Sequence, residues 1–367
     1  MLSILQFLNS LSHKFEVILI CLDTENEIDD YFNDVLGEKK SKNLRIYTQT
    51  NTFFGIKSNK IFFFYNLKKI IKSYKEDILI YSRDLKQMRL ALKSFRDFEN
   101  VHFVFETHQI LSENYMRNHE FKNSRKSRAL EMYIYQNTNI LVSITETLKK
   151  DIEDKFLNIT KNHYVLPLGF NKKFMEVKPY KKVKYDLIYT GNFSSWKGLD
   201  ILIHAIRILK FDYQINTQVL LVGASKQDKV NYENLARLLE VDDCVQIIRR
   251  VKHKEIYNLL KNAKIGVIPN KYEGDGMLYT NPLKLYEYLG AGLKIVVSKL
   301  PSIQSAVPSE LVFFATPEDP QDFANTIKKA LECSDDGLIE KHNFSKNFTW
   351  ESRARRFSEI INENFNY

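Results

Sequence analysis

The sequence is poor in glycine and cysteine and contains no long apolar run. Only 12 of its 367 residues are glycine, about half of the usual share of roughly 7%. The three cysteines, Cys21, Cys244 and Cys333, are far apart and odd in number, which argues against a disulfide framework and against a zinc site. No stretch of about 18 apolar residues occurs, so we expect no membrane-spanning helix. The N-terminus also lacks the features of a secretion signal, so we expect a cytoplasmic protein.

The glycines that are present are concentrated in one part of the chain. Nine of the twelve lie between Gly169 and Gly292. Glycine allows the backbone to approach a ligand closely, so we expect any loop that wraps a phosphate to lie in the second half. Hydrophobic residues make up 44% of the chain, which is enough to form a core and excludes general disorder. The length favours two domains.

Short apolar runs alternate with stretches of helical spacing along the whole chain. The runs in the first half are residues 16–22, 77–81, 101–105, 139–143 and 164–167, and those in the second half are 185–190, 218–222, 245–248, 265–268 and 293–298. This alternation predicts an α/β protein with doubly wound parallel sheets. The polar, basic segment 171–184 indicates the linker between two domains, and a cleft between them is the expected place for a site.

The first candidate site segment follows the strand at 185–190. A loop with Gly191 leads to a helix that begins near Gly198. A helix start offers free N–H groups and the positive end of the helix dipole, which suit a phosphate, and Lys197 adds a full positive charge. The alternative is an ordinary turn in which the two glycines only satisfy backbone geometry.

The second candidate segment covers residues 269–292. Asn281 is a good N-cap and Pro282 a good first helical residue. Lys284 and Glu287 are three residues apart and therefore lie on one face of the helix. A carboxylate here can accept hydrogen bonds from ribose hydroxyls, while the helix start holds phosphate. The alternative is a surface ion pair on a helix that glycines terminate.

These two segments resemble those of a known enzyme family. Gly191-Asn-Phe-Ser-Ser-Trp-Lys-Gly198 and Pro282-Leu-Lys-Leu-Tyr-Glu-Tyr-Leu-Gly-Ala-Gly292 resemble segments of the retaining glycosyltransferases of family 4, which have the GT-B fold. The stretches 141–148, 165–171 and 348–350 are also similar to that family. The resemblance extends from about Leu141 to the end of the chain.

The resemblance implies two Rossmann-like domains that face a cleft. Residues 1–175 would form the N-terminal acceptor-side domain and residues 176–348 the nucleotide-sugar-binding domain. Residues 349–367 would form a C-terminal helix that packs back on the first domain. The implied reaction transfers a sugar, with retention of configuration, from a nucleotide-sugar to a surface-glycan acceptor: a polysaccharide, a lipopolysaccharide or a lipid-linked sugar. No cofactor and no metal are implied, since lysines and helix-start groups balance the leaving diphosphate.

Site residues follow from the same resemblance. Lys197 would hold the diphosphate and Glu287 the ribose. His108, after a strand of the first domain, would contact the sugar with Glu106 as its neighbour, although a lone histidine there can equally be structural. The implied catalytic residues are His108, Lys197 and Glu287, and the implied donor-binding residues are Gly191, Asn192, Lys197, Thr280, Asn281, Leu283, Lys284 and Glu287.

The sequence departs from the family pattern at two positions of the donor half. Many members carry a glutamate eight residues before the position of Glu287, where this chain has Tyr279; Glu273 or Asp275 could replace it. Many members also carry an arginine where this chain has Asn192. Arg249 and Arg250 could supply that missing cation, or they could lie in a solvated turn.

Positive charge is concentrated in the first half. Residues 57–96 contain 11 basic and 3 acidic residues, and a second basic segment covers 117–128. Basic amphipathic segments are typical of contacts with an anionic membrane surface, so the protein could be peripheral on the inner face of the cell membrane. The alternative is a core helix whose lysines reach into solvent. No nucleic-acid-binding module accompanies the charge, so we expect no nucleic-acid partner.

Two other functions stay open at this point. One is another GT-B enzyme that acts on a nucleotide-sugar, such as an epimerase or a phosphorylase. The other is a catalytically inactive protein that binds a sugar nucleotide or a glycan, which the tyrosine at position 279 makes plausible.

Overall fold

The computed structural model describes residues 2–21, 31–48, 59–176, 183–272, 278–334 and 337–365. Contacts divide the chain into two compact units, one formed by Met1–Pro167 with Ala354–Tyr367 and the other by Leu168–Arg353. The division falls at Pro167, whereas the sequence places the domain boundary at residue 175. Each unit is described separately below.

The first unit contains two parallel sheets. Its strands are β1 (Val17–Cys21), β2 (Leu44–Thr48), β3 (Ile78–Ser82), β4 (Val101–Thr107), β5 (Ile140–Ser143) and β6 (His163–Val165). β1 pairs with β2, while β3 to β6 form a four-stranded sheet in chain order. Its helices are α1 (Leu2–Leu11), α2 (Asn59–Ser73), α3 (Leu85–Phe95), α4 (Leu111–Arg117), α5 (Phe121–Asn137) and α6 (Glu146–Lys155). β2 was not predicted from the sequence. Its aliphatic residues Leu44 and Ile46 alternate with other residues and form no apolar run.

The second unit is built on one six-stranded parallel sheet. Its strands are β7 (Tyr185–Thr190), β8 (Val219–Ala224), β9 (Val245–Arg249), β10 (Ala263–Ile268), β11 (Lys294–Ser298) and β12 (Phe313–Ala315). Its helices are α7 (Leu199–Phe211), α8 (Lys226–Leu238), α9 (His253–Leu260), α10 (Leu283–Gly290), α11 (Pro301–Gln304), α12 (Pro320–Glu332) and α13 (Leu338–Ser345). The strand order is β12-β11-β10-β7-β8-β9, which is a doubly wound arrangement.

Both faces of this sheet are buried. Leu187 and Tyr189 of β7 point into one apolar cluster, and Ile188 between them points into the other. Successive strand residues face opposite sides of a sheet, so a strand covered by helices on both sides must be apolar throughout. This explains the uninterrupted apolar stretches within β7, β8, β10 and β11, whereas the edge strand β9 has an exposed Gln246 in its middle.

Side-chain caps determine where several helices begin. Helical spacing in the sequence is evident only over 231–239, but α8 begins at Lys226. Ser225 accepts a hydrogen bond from the N–H of Asp228, and the carboxylate of Asp228 accepts one from the N–H of Ser225. This capping box satisfies two free donors at the helix start, so the helix gains its polar first turn.

The last helix, α14, covers Trp350–Phe365. Its residues from Ala354 onward belong to the first unit. There Phe357 packs edge-on against Phe7 and Tyr81, with ring centroids 5.6 and 5.7 Å apart. Among the helices in the described ranges, none has the length and the hydrophobicity needed to cross a membrane.

Candidate functional site

The sheet of the second unit has a topological switch point between β7 and β10. From β7 the chain runs outward through β8 and β9, and it then returns to add β10 on the other side of β7. In doubly wound sheets, the connections leave in opposite directions at such a point, and ligands bind outside the carboxyl ends of its strands. The loops that follow Thr190 and Ile268 therefore form the expected ligand-binding edge of this sheet.

These two loops pack directly on each other. Gly198 has a φ of 65°, and a Cβ on it would lie 1.9 Å from the carbonyl oxygen of Pro269. The N–H of Lys271 donates a hydrogen bond of 2.8 Å to the carbonyl of Trp196. Glycine at position 198 is thus required both by its backbone conformation and by the approach of the second loop.

The turn after β7 is fixed by hydrogen bonds to its backbone. The N–H of Gly191 donates to the carbonyl of Val222 at 2.9 Å, and the hydroxyl of Tyr189 donates to the carbonyl of Asn192 at 2.6 Å. The side chain of Asn192 is exposed and accepts a hydrogen bond from Ser194. Residues of β7 and β8 therefore hold the backbone of the predicted phosphate loop in place.

Two buried lysines lie at this switch point. Lys197 is 9% exposed, its Nζ lies 3.4 Å from the centroid of the Trp196 ring, and burial lowers its pKa to about 8. Lys284 is equally buried, and its Nζ lies 3.8 Å from the centroid of the Tyr189 ring. Burial, and then the charge of Lys197, hold the pKa of Lys284 well below its usual value.

The amino group of Lys284 makes no hydrogen bond within the described residues. A buried amine without a partner is costly. Glu287 favours the charged form of Lys284, but its carboxylate is in contact with a histidine rather than with the lysine. The two lysine amines therefore lie in a place where a bound anion would favour their charged forms.

Helix α10 begins one residue later than its sequence indicates. Pro282 is the N-cap, with extended backbone angles, and the first helical residue is Leu283. Asn281 is not the cap because its amide is engaged elsewhere: its Oδ1 accepts a hydrogen bond from the N–H of Leu168 at 3.1 Å, and its Nδ2 donates to the hydroxyl of Tyr286 at 3.1 Å. Asn281 thus ties the residues just before α10 to Tyr286 within the helix and to the backbone of Leu168.

The remaining residues of this segment have different environments. Thr280 and Leu283 are half-buried. They lie at the N-terminal end of α10, where free N–H groups are expected. Tyr279, at the position of the family glutamate, is 1% exposed. Glu273 and Asp275, the candidate replacements for that glutamate, lie outside the described residues.

Glu287 is held by a histidine that the sequence analysis did not identify. The Oε1 of Glu287 lies 3.2 Å from the Nε2 of His253, the first residue of α9. The His253 ring packs edge-on against Phe174 and Tyr257, with centroid distances of 5.5 and 6.0 Å. The only signal in the sequence was a histidine four residues after the end of β9, which is too common a feature to single out.

A separate polar cluster lies at the carboxyl ends of β3 and β4 in the first unit. The carboxylate of Glu106 is fully buried and forms an ion pair of 2.9 Å with Nη2 of Arg83. It also accepts a hydrogen bond from the hydroxyl of Tyr81. The Nε2 of His108 lies 2.7 Å from Oε1 of the same carboxylate, and the His108 side chain is 36% exposed. The structure thus joins the predicted pair of Glu106 and His108 to Tyr81, near the end of the neighbouring strand β3, and to Arg83, just after it.

The structure does not bring Arg249 and Arg250 to the switch point. Both side chains are exposed at the end of β9, and β9 is the edge strand that β8 separates from β7. Lys284 is the cation beside Gly191 instead: its Nζ would lie 2.8 Å from a Cβ on that glycine.

The first unit also contains a serine, a histidine and a glutamate in a row, which the sequence did not reveal. The Oγ of Ser143 lies 2.8 Å from Nε2 of His163, whose Nδ1 lies 3.3 Å from Oε1 of Glu153. Ser143 is fully buried, so a substrate cannot reach it. Burial, together with the charge of Lys149, lowers the pKa of His163 to about 4, which is typical of a structural histidine kept neutral.

Known proteins share both the sequence family and the fold. Residues 170–349 match the family described as glycosyl transferases group 1. An uncharacterized glycosyltransferase of Haemophilus influenzae is 26% identical over 67% of this chain and 70% of its own length. An uncharacterized glycosyltransferase of Methanocaldococcus jannaschii is 23% identical over 66% of this chain, and the match spans 64% of that protein.

Among solved structures, Anabaena HepE in complex with UDP superposes with a TM-score of 0.74 at 13% identity, covering 99% of this chain and 96% of that one. The sucrose-phosphate synthase of Thermosynechococcus elongatus superposes with a TM-score of 0.72 at 18% identity, covering 98% and 92%. WaaG, a glycosyltransferase involved in lipopolysaccharide biosynthesis, gives a TM-score of 0.65 at 14% identity, covering 98% and 95%.

The class of protein follows from these observations. The chain has the GT-B fold of two Rossmann-like α/β domains, as the sequence predicted. Its residues 170–349 carry the sequence match to the glycosyl transferases group 1.

Proposed function

We propose that this protein is a retaining glycosyltransferase that moves a sugar from a nucleotide-sugar to a surface-glycan acceptor. The acceptor would be a polysaccharide, a lipopolysaccharide or a lipid-linked sugar. Family membership supports the class of enzyme. The retention of configuration and the kind of acceptor are inferred from the sequence resemblance.

One observation carries the donor half of the proposal: the two buried lysines at the switch point of the second unit. Lys197 and Lys284 are each 9% exposed, and neither forms an ion pair within the described residues. A diphosphate would place negative charge beside both amines and would favour their charged forms. Such preorganised positive groups stabilise charge that develops on a leaving diphosphate.

The surrounding groups fit the rest of a nucleoside diphosphate. Thr280, Asn281 and Leu283 lie at the start of α10, where free N–H groups favour an anion. Gly191 and Asn192 give a backbone without a bulky side chain beside Lys284. Glu287 lies about one turn inside the helix and would accept hydrogen bonds from the ribose hydroxyls.

In the first unit, His108 would contact the transferred sugar. Its imidazole is accessible, while the carboxylate beneath it is buried and held by Arg83 and Tyr81. A histidine supported in this way can hydrogen-bond a substrate in one fixed orientation. We assign it to stabilising the transition state rather than to general-base catalysis.

The basic segments 57–96 and 117–128 would attach the enzyme to an anionic membrane surface from the cytoplasmic side. Lys68, Lys69 and Lys72 of α2 are exposed. Near the start of α5, Met116 and Phe121 are 47% and 56% exposed beside exposed basic residues. Apolar side chains among lysines and arginines are typical of such surfaces.

A thermal-shift screen against nucleotide-sugars tests the donor assignment. UDP-sugars come first because HepE was solved with UDP and with UDP-glucose. A true donor stabilises the protein by an amount that grows with concentration over Kd. Lys197→Ala and Glu287→Ala should remove the shift, whereas Lys226→Ala, on the exposed start of α8, should keep it. Unchanged donor binding and transfer in the first two variants would contradict the assignment.

A further inference from the structure

The contact between His253 and Glu287 suggests a function for His253, which lies outside the two predicted donor segments. Both side chains are mostly buried, with 19% and 13% of their surface exposed, and Nε2 of His253 lies 3.2 Å from Oε1 of Glu287. They come from two different helices, α9 and α10. The contact therefore links the segment that follows β9 to the candidate ribose-binding residue.

Chemistry fixes the direction of this hydrogen bond. An ionised carboxylate has no proton to donate, so Nε2 of His253 must carry the hydrogen. The bond occupies Oε1 of Glu287, while Oε2 accepts no hydrogen bond from the residues that the structure describes. One carboxylate oxygen is thus held by protein and the other is left for a ligand.

The histidine is itself held by packing. Phe174 and Tyr257 contact its ring edge-on and also pack against each other, and these aromatic contacts restrict the rotation of the imidazole. Glu287, by contrast, has a flexible side chain that loses considerable rotamer freedom when it is ordered. A rigid donor beneath it removes most of that cost before a ligand binds.

We infer that His253 is a positioning residue that orients the carboxylate of Glu287 toward the ribose hydroxyls of a nucleoside diphosphate. This inference rests on the proposed function, in which Glu287 binds the ribose. His253 does not touch the ligand in this assignment. Its effect is therefore specific to the hydroxyls: loss of the histidine weakens the preference for ribose over deoxyribose and leaves diphosphate binding by the lysines in place.

Two substitutions separate positioning from packing. His253→Gln places its amide nitrogen near the position of Nε2 and should still donate to Glu287. His253→Asn is shorter, so its amide nitrogen reaches only the position of Nδ1 and should not. His204→Asn on α7, where the histidine is exposed, is the matched control.

The experiment measures Kd by calorimetry for UDP, GDP and ADP and for their 2′-deoxy counterparts. A hydrogen bond to a charged group predicts that the wild type binds its preferred ribonucleotide at least about tenfold more tightly than the deoxy form. His253→Asn should reduce this ratio to about threefold or less, while His253→Gln and His204→Asn should keep it. Circular dichroism checks that each variant is folded, and His253→Phe replaces the Asn variant if that one is not.

Each other outcome has a distinct meaning. If the wild type binds a ribonucleotide with a clear ribose preference and the folded Asn or Phe variant keeps the wild-type ratio, the inference about His253 is wrong and the proposed function stands. If the wild type binds without any ribose preference, the assignment of Glu287 is wrong as well. If the wild type binds none of the three diphosphates, the donor site itself is refuted, and the inference with it.

Discussion

The amino group of Lys284 occupies the space that a side chain at position 191 would need. Nζ of Lys284 lies 2.8 Å, and the hydroxyl of Tyr189 3.1 Å, from the position of a Cβ on Gly191, whose φ is 146°. Such a φ is rarely adopted by residues other than glycine. The glycine after β7 therefore both forms the turn and leaves room for the buried amino group of Lys284 beside the loop backbone.

This relationship predicts that Gly191→Ala loses nucleotide binding. The methyl group meets the lysine and also strains the backbone, which should lower the free energy of unfolding by about 1–3 kcal/mol. Gly337→Ala is the matched control because its φ is 53° and the nearest atoms would be 3.9 Å away. The control should be destabilised by about 1–2 kcal/mol with unchanged Kd for nucleoside diphosphates. Equal Kd values in both variants would show that Lys284 is not part of the donor site.

Lys284→Met should separate stability from function. A buried amine without a hydrogen bond is replaced by an apolar side chain of similar length, so we expect the free energy of unfolding to rise by about 1–3 kcal/mol. Affinity for a nucleoside diphosphate should fall at least about tenfold, because a charge-assisted hydrogen bond is lost. Urea unfolding and calorimetry measure the two effects.

Lys294→Met is the comparison for stability. Lys294 donates to the carbonyls of Ala330 and Cys333 at the end of α12, so its replacement should lower the free energy of unfolding and leave nucleotide binding unchanged. A destabilised Lys284→Met variant would mean that its amine is satisfied in solution.

The strands of the second unit were predictable from sequence for a physical reason. Both faces of that sheet are covered, so its inner strands contain uninterrupted apolar stretches, and the prediction for 185–190 matches β7. In the first unit β2 was missed because its apolar residues alternate with polar ones. The start of α8 was also missed, since a polar capping box leaves no periodic signal.

The candidate site was predictable only where its charged residues lie close together in one segment of the sequence. Lys197, Lys284 and Glu287 lie in two segments whose spacing alone suggests an anion site. His253, Arg83 and Tyr81 reach the site residues through the fold, from other strands and helices, so no local pattern marks them. Arg249 and Arg250 lie at the end of a strand, as expected, but their side chains are exposed and that strand is at the edge of the sheet.

The buried histidine of the first unit predicts a specific loss of stability in acid. Burial lowers the pKa of His163 to about 4, whereas a histidine in the unfolded chain has a pKa of about 6.5. Between these values the unfolded state binds the proton more readily, so stability falls as the pH decreases from about 6.5 to about 4. From pH 7 to pH 5 the loss should be about 2 kcal/mol.

Hydrogen exchange of the β5 and β6 amides at pH 7 and pH 5, combined with urea unfolding, measures this loss. His163→Gln keeps a polar group toward Ser143 without a titrating ring, so it should flatten the pH dependence. The exposed His204→Gln should not. A wild-type curve that stays level between pH 7 and pH 5 would contradict the assignment of His163 as a neutral buried base.

The pair of His108 and Glu106 predicts a loss of turnover without a loss of donor binding. His108→Ala removes a group assigned to the transition state, so kcat for donor turnover should fall on the order of 100-fold while Kd for the nucleotide stays constant. Glu106→Gln keeps the shape but removes the charge that holds the imidazole, and we expect an intermediate loss with Tyr81 and Arg83 still in place.

His102→Ala is the control. His102 lies near the other end of β4, and the variant should retain wild-type turnover, because that end of a parallel strand is remote from the site edge. The readout is release of nucleoside diphosphate from the donor found in the screen; wild-type kcat in His108→Ala would assign this histidine to structure alone.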